Sequence, residues 1–259
     1  MCTLVVDLSP ERPCAVTVAA VRDEFLGRPW QPPARHWPDR PGLIGGRDEL
    51  AGGTWLAYDP AAGRVACVLN ASGRPADPAH RHSRGALPLL SAAGADLPDP
   101  VGYDPFHLVT VDVTGLRVLT WNGYQPHAYG LGAGTHVFAN RGRWLGPADR
   151  RTPRASWFGP RFAAARPDPT PGVDAAEAWA PWIGLIDGKD VPRREDPRAL
   201  VASATVGESR WGTSSVTLLG FGPHGPVRYD FRPGPDPHPW TAVATRDHVS
   251  DGAGVRRGR

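Results

Sequence analysis

Lysine is almost missing from this chain. Lys189 is the only one among 259 residues, while arginine, alanine, proline and glycine are plentiful. That balance reads as the coding bias of a GC-rich genome and carries no chemistry. Cysteine is scarce as well. Cys2, Cys14 and Cys67 form an odd set with no Cys-Xaa-Xaa-Cys spacing, which argues against a disulfide framework or a structural zinc site and fits a reducing compartment. Long apolar runs are absent, and none approaches the roughly 18 residues of a membrane span. The start, Met-Cys-Thr-Leu-Val-Val-Asp-Leu, lacks the basic opening and apolar stretch of a signal peptide. A cytoplasmic protein without a membrane span is expected.

Charge of one sign is not in excess either. The formal net charge is +3, and Arg256, Arg257 and Arg259 supply as much. The rest of the chain is near neutral. It shows no clustering of arginine and lysine of the kind that would bind nucleic acid. The nine histidines show no metal-ligand spacing. His80 and His82, two apart in a loop, read as solvated surface, and neither a metal nor another cofactor is expected.

Glycine (31) and proline (30) are high, which predicts many turns and little long helix. Short β-branched runs at 2–7 and 14–21 flank a Pro-containing turn, the pattern of a hairpin. Three more hairpins are expected: Thr54–Tyr58 with Arg64–Asn70, Phe106–Val113 with Arg117–Trp121, and Ser215–Gly220 with Pro226–Phe231. Thr135–Ala139 reads as a further strand. Helices are expected at Arg84–Ala93, at Asp174–Ile186 with Asp174 as N-cap and Gly188 as stop, and at Pro197–Ala204. Residues 28–41 and 147–172 read as irregular surface connections. The sum is an α+β chain of antiparallel hairpins with helices between them. One domain is expected over 1–245, followed by a disordered basic tail at 246–259.

Cys2 is the sharpest chemical feature. Removal of Met1 would leave Cys2 with a free α-amine beside its own thiol. Such an amine has a pKa near ~7.7, so part of it is an unprotonated base at neutral pH. A thiol with a pKa near ~8.5 is a strong nucleophile once ionised. One residue would then supply both nucleophile and base. The plainer readings are that Arg22, Asp23 and Glu24 form a solvated strand end, and that Asn70 and Asn140 are turn residues closing strands. Cys14 and Cys67 sit in apolar strands and read as core. Trp55 and Trp121 also read as core. Trp30, Trp37, Trp144, Trp157 and Trp240 lie in Pro-, Gly- and Arg-rich stretches, where they could line an apolar cleft or cap loops.

Ala19-Ala-Val-Arg-Asp-Glu-Phe-Leu-Gly-Arg-Pro29 resembles the Ala-Ala-Asn-Arg-Asp-Glu-Phe…Arg-Pro signature of the Transport and Golgi organisation protein 2 family. Gly52-Gly-Thr-Trp-Leu56 is similar to that family's next block. Shorter likenesses follow in the same order at Arg64–Asn70, Ser83-Arg-Gly85, Gly134–Asn140 and Trp211-Gly-Thr213. The resemblance implies an αββα sandwich like that of the N-terminal-nucleophile (Ntn) hydrolases. It implies Cys2 as nucleophile, Arg22 and Asp23 as supporting charges, and Asn70 and Asn140 as oxyanion or substrate donors. It also places Trp55, Arg210 and Ser214 on the substrate side. Two departures stand out. The family's Asn before Arg-Asp-Glu is Val21 here, and its Arg after Gly-Thr is Ser214, unless Arg210 takes that role. Two function classes follow. One is a cysteine amidohydrolase or acyl hydrolase acting on a small, partly apolar substrate. The other is a non-catalytic carrier of a hydrophobic ligand such as haem or lipid. The oligomeric state is left open.

Overall fold

The computed structural model describes residues 2–146, 148–188, 193–236 and 238–245. The tail expected at 246–259 lies outside them. The first sheet contains β1 (Thr3–Leu8), β2 (Val16–Phe25), β10 (Gly134–Ala139), β11 (Gly142–Arg143), β12 (Ser203–Val206), β13 (Ser209–Gly222), β14 (Gly225–Pro233) and β15 (Thr241–Ala242). Its order is β11-β10-β1-β2-β13-β14-β15, with β12 also paired to β13. The second sheet is a meander of β3 (Trp30–Ala34), β4 (Ile44–Asp48), β5 (Leu56–Asp59), β6 (Arg64–Asn70), β7 (Phe106–Asp112), β8 (Gly115–Trp121) and β9 (Pro126–Leu131). Every pairing between these strands is antiparallel. The helices are α1 (Ala86–Ala92), α2 (Pro153–Ala164), α3 (Ala175–Ala178) and α4 (Ala180–Ile186). None is long and apolar enough to cross a membrane.

Side-chain alternation sorts the layers. On β1 and β2, Leu4, Val6, Leu8, Val16, Val18 and Ala20 face the second sheet and meet Leu56, Tyr58, Val65, Leu69, Val109 and Val118. The opposite face of the same strands offers Val5, Ala19 and Val21 to Phe158, Phe162, Trp179 and Trp182 of the helices. The outer face of the second sheet packs Ala57, Ala66 and Leu108 against Leu87, Leu89 and Ala92 of α1. The layers therefore run helices, sheet, sheet, helix. β1 is buried at every position because both its faces are covered, and for that reason it reads as a near-continuous apolar run.

The four expected hairpins form, and Asp174 caps α3 by accepting a hydrogen bond from Glu177 N at 2.7 Å. The single helix expected at Asp174–Ile186 is instead two, α3 and α4, parted at Trp179. Three further expectations fail. The 147–172 stretch contains α2. Gly159 and Pro160 hide it, since the interior of a helix tolerates them poorly, at about 1 and about 3 kcal/mol relative to alanine. Full burial of Phe158 and Phe162 offsets this at roughly 1.5–3 kcal/mol each. Gly159 is also required by space: a Cβ there would lie 2.5 Å from the Trp144 ring. The 28–41 stretch contains β3, an edge strand whose register shifts between Gln31 and Ala34. Pro32 and Pro33 donate nothing to a ladder, which confines them to such an edge. The helix expected at Pro197–Ala204 does not form; Ser203 and Ala204 open β12 instead, paired to Gly212 and Trp211.

Candidate active site

Cys2 immediately precedes β1 and lies against the inter-sheet core. Its thiol donates to the backbone oxygen of Asp23 at 3.6 Å. Thr3 pairs with Val21, so Cys2 meets the stretch of β2 that carries Arg22 and Asp23. Those two neighbours point to opposite faces, as strand alternation requires. Arg22 enters the gap between the sheets. Asp23 turns to the helix side, where Arg154 of α2 donates to it at 2.7 Å and Thr213 Oγ1 donates at 2.7 Å. The Asp23–Arg154 pair is shielded from solvent, with side-chain exposures of 0% and 5%. Arg154 also donates to Thr3 Oγ1 at 3.3 Å. Asp23 thus bears on Cys2 through its backbone, and its carboxylate anchors the strand from behind.

A β-bulge makes this two-sided arrangement possible. β13 shifts register between Thr213 and Ser215: Thr213 pairs with Asp23 and Ser215 with Arg22, leaving Ser214 over. The extra residue resets the alternation. Thr213 reaches Asp23 on one face, and Ser214 Oγ accepts from Arg22 at 2.7 Å on the other. The Arg22 guanidinium stacks over Trp55, 4.3 Å from the ring centroid, and lies 3.7 Å from both Glu24 and Asp48. Burial pushes Arg22 below the ordinary arginine value, while Glu24 and Asp48 pull the other way. Burial raises Asp48, but two hydrogen bonds from Arg28, at 2.6 and 3.1 Å, help hold it below the usual carboxylate range.

These groups line a cavity of about 470 Å³ with Cys2, Thr54, Asn70, Arg81, His82, Arg84 and Asp104 around it. Its rim is a glycine clasp. Thr54 N donates to Gly85 O at 2.9 Å, and a Cβ on Gly53 would lie 2.4 Å from the Gly85 carbonyl carbon. No side chain fits between these loops. Burial is the main reason the Cys2 thiol sits above its ordinary value. The Asp23 charge adds to the rise and Arg22 opposes it.

Of the residues singled out in the sequence, Cys2, Arg22, Trp55 and Asn70 meet around this cavity, and Asp23 backs it. Ser214 serves Arg22 and does not line the cavity. Arg210 is exposed on β13 opposite Thr205. Asn140 follows β10, and its buried Oδ1 has no hydrogen-bond partner among the described residues. Neither Arg210 nor Asn140 reaches the cavity lining. Sequence reasoning missed Arg154, Thr213, Asp48 and Arg84. Ser83-Arg84-Gly85 stood among the family likenesses, so Arg84 carried a signal. Among the described residues, no group of three or more His, Cys, Asp and Glu side chains is placed to hold a metal ion.

The fold and site define an antiparallel α+β protein with a cysteine at the head of its central hairpin, facing a charged inter-sheet cavity. The chain belongs to the Transport and Golgi organisation 2 family, whose profile matches residues 1–157. That stretch carries every cavity-lining residue. β13, which lies beyond it, supplies the bulge that orders Arg22. No curated protein matches the chain.

Proposed function

We propose that this protein is an Ntn-type cysteine hydrolase, cleaving an amide or thioester acyl bond in the Cys2 cavity. The observation that carries the reading is the placement of Cys2 at the head of β1, facing a cavity that Arg22 and Asn70 also line. The helix–sheet–sheet–helix layering supports it.

In the proposed reaction Met1 has been removed and the freed α-amine of Cys2 takes the thiol proton. Sulfur attacks the acyl carbon, and its oxygen gains negative charge. Asn70 is the proposed donor to that oxygen; a well-placed donor contributes about 3–4 kcal/mol. The C–N or C–S bond breaks, and the proton passes from the α-amine to the leaving group. Water then attacks the thioester, releasing the acid and restoring the thiol. Arg22 favours the thiolate, and Asp23, fixed by Arg154 and Thr213, holds the strand on which Arg22 and the Cys2 contact depend.

Intact mass spectrometry with an activated acyl thioester tests this. Protein lacking Met1 should gain one acyl group and lose it on standing, whereas Cys2→Ala should gain none. Unchanged labelling in Cys2→Ala would end the proposal. A carrier of hydrophobic ligands is the second reading. It is favoured by an apolar cavity of about 580 Å³ lined by Trp30, Pro33, Phe231 and Val243, separated from Arg22 by the Trp30–Trp55 contact at 6.0 Å.

A further inference from the structure

We infer that Arg84 forms a carboxylate-binding subsite in the Cys2 cavity, so that the preferred ligand is a monoanion. The inference rests on the Cys2 cavity being the substrate site.

The other three arginines of the cavity are occupied. Arg28 is doubly hydrogen-bonded to Asp48, and Arg81 lies 3.4 Å from Asp104. Arg22 is held by Ser214, Glu24, Asp48 and the Trp55 ring. Arg84 differs. It spends one donor on the backbone oxygen of Pro105 at 2.9 Å, and among the described residues no carboxylate lies within ion-pair distance of it. A guanidinium carries five N–H donors in a planar fork, so most of Arg84's donors have no protein acceptor. The side chain is half-buried at the cavity wall. Burial pushes it below the ordinary arginine value, with Asp104 opposing, so an incoming anion would restore what burial costs.

Counting charge fixes the type of anion. Four guanidiniums line the cavity against the carboxylates of Glu24, Asp48 and Asp104. Asp23 is turned away and paired to Arg154. With the Cys2 α-amine in its neutral, basic form and His82 aside, the surplus is one positive charge, which a carboxylate neutralises and a phosphate dianion overshoots. The planar fork also matches a carboxylate with two parallel hydrogen bonds.

The test uses the full chain and three probes of similar shape: benzoate, benzamide and phenyl phosphate. Each is titrated for its ability to protect Cys2 from alkylation by iodoacetamide, a neutral reagent. Benzoate should half-protect at a concentration about ten-fold or more below that for benzamide, the scale of a charge-assisted hydrogen bond. Phenyl phosphate should do no better than benzoate. Arg84→Gln should erase the benzoate advantage, and Arg84→Lys should keep part of it. Equal protection by benzoate and benzamide overturns the subsite, as does an advantage that survives in Arg84→Gln. Tighter protection by phenyl phosphate overturns the carboxylate assignment. Were Arg84→Gln not to fold, Arg84→Lys decides: an undiminished benzoate advantage there overturns the subsite. Acyl transfer to Cys2 is read separately by mass. Acylation without a benzoate preference defeats the Arg84 subsite alone, and preference without acylation defeats the nucleophile alone.

Discussion

The gap between the two sheets ends differently at its two extremities, although the same two sheets enclose both. At one end Tyr58 packs on Phe221 and Tyr229 with ring centroids 5.4 and 6.4 Å away, and the gap is sealed. At the other end β1, β2 and β6 bring Cys2, Arg22 and Asn70 beside Trp55, and the gap is a cavity. Antiparallel pairing runs through both, with a register shift in β13 near each, and does not by itself distinguish them. The side chains at inward-facing positions do: aromatic rings gain by closing on one another, whereas a guanidinium buried without partners would cost several kcal/mol. An arginine at an inward position keeps the gap open and polar, and recruits carboxylates from both sheets.

The sharpest way to break this contrast is to remove what braces the open end. Arg154→Ala leaves the Asp23 carboxylate buried without its ion-pair partner. About 3–5 kcal/mol of stability should be lost, read by denaturant unfolding, and Cys2 should alkylate at an altered rate because its contact at Asp23 moves. Phe221→Ala at the sealed end should also cost about 3–5 kcal/mol through the void it leaves, but Cys2 alkylation should stay as it was. If both substitutions disturbed Cys2 equally, the two ends would not be independent. Gly53→Ala should cost about 1–3 kcal/mol by forcing the clasp at Gly85 apart, and should widen access to the cavity, seen as a larger rate gain over the unsubstituted chain for bulky maleimides than for iodoacetamide.

The smallest effect concerns pH. Burial and the Asp23 charge raise the Cys2 thiol in the chain that retains Met1. A raised pKa means less thiolate at any given pH, so iodoacetamide should react several-fold more slowly at pH 8 than with free cysteine. The rate should still be climbing where free cysteine has levelled off. Arg22→Ala should slow it further, because Arg22 acts in the opposite sense to burial. A rate equal to that of free cysteine would show that Cys2 is not buried in this way.

How legible these features were in the sequence follows from the same physics. The hairpins were readable because alternation and turn residues are local signals; Val16–Phe25 opposite Thr3–Leu8 needs no distant information. α2 was not, because Gly159 and Pro160 oppose a helix and only packing against Trp144 and the first sheet overrides them. β3 was hidden by Pro32 and Pro33. Cys2, Arg22, Trp55 and Asn70 were legible as a set through family likeness. The partners of Asp23 were not: Arg154 reaches it across 131 residues with nothing local to mark it, and Thr213, though within a family likeness, reaches it across 190. That Asp23 faces away from Arg22 followed from strand period alone.

The surplus residue at Ser214 works like a frameshift within a strand. Residues on its two sides count odd and even differently, so the two halves of β13 are read in separate frames. A deletion of Ser214 would remove the acceptor for Arg22, merge the frames and exchange inside for outside over Ser209–Thr213, without altering any other side chain. The length of β13 at this one position is therefore as constrained as Thr213 itself, whose hydroxyl has to reach Asp23.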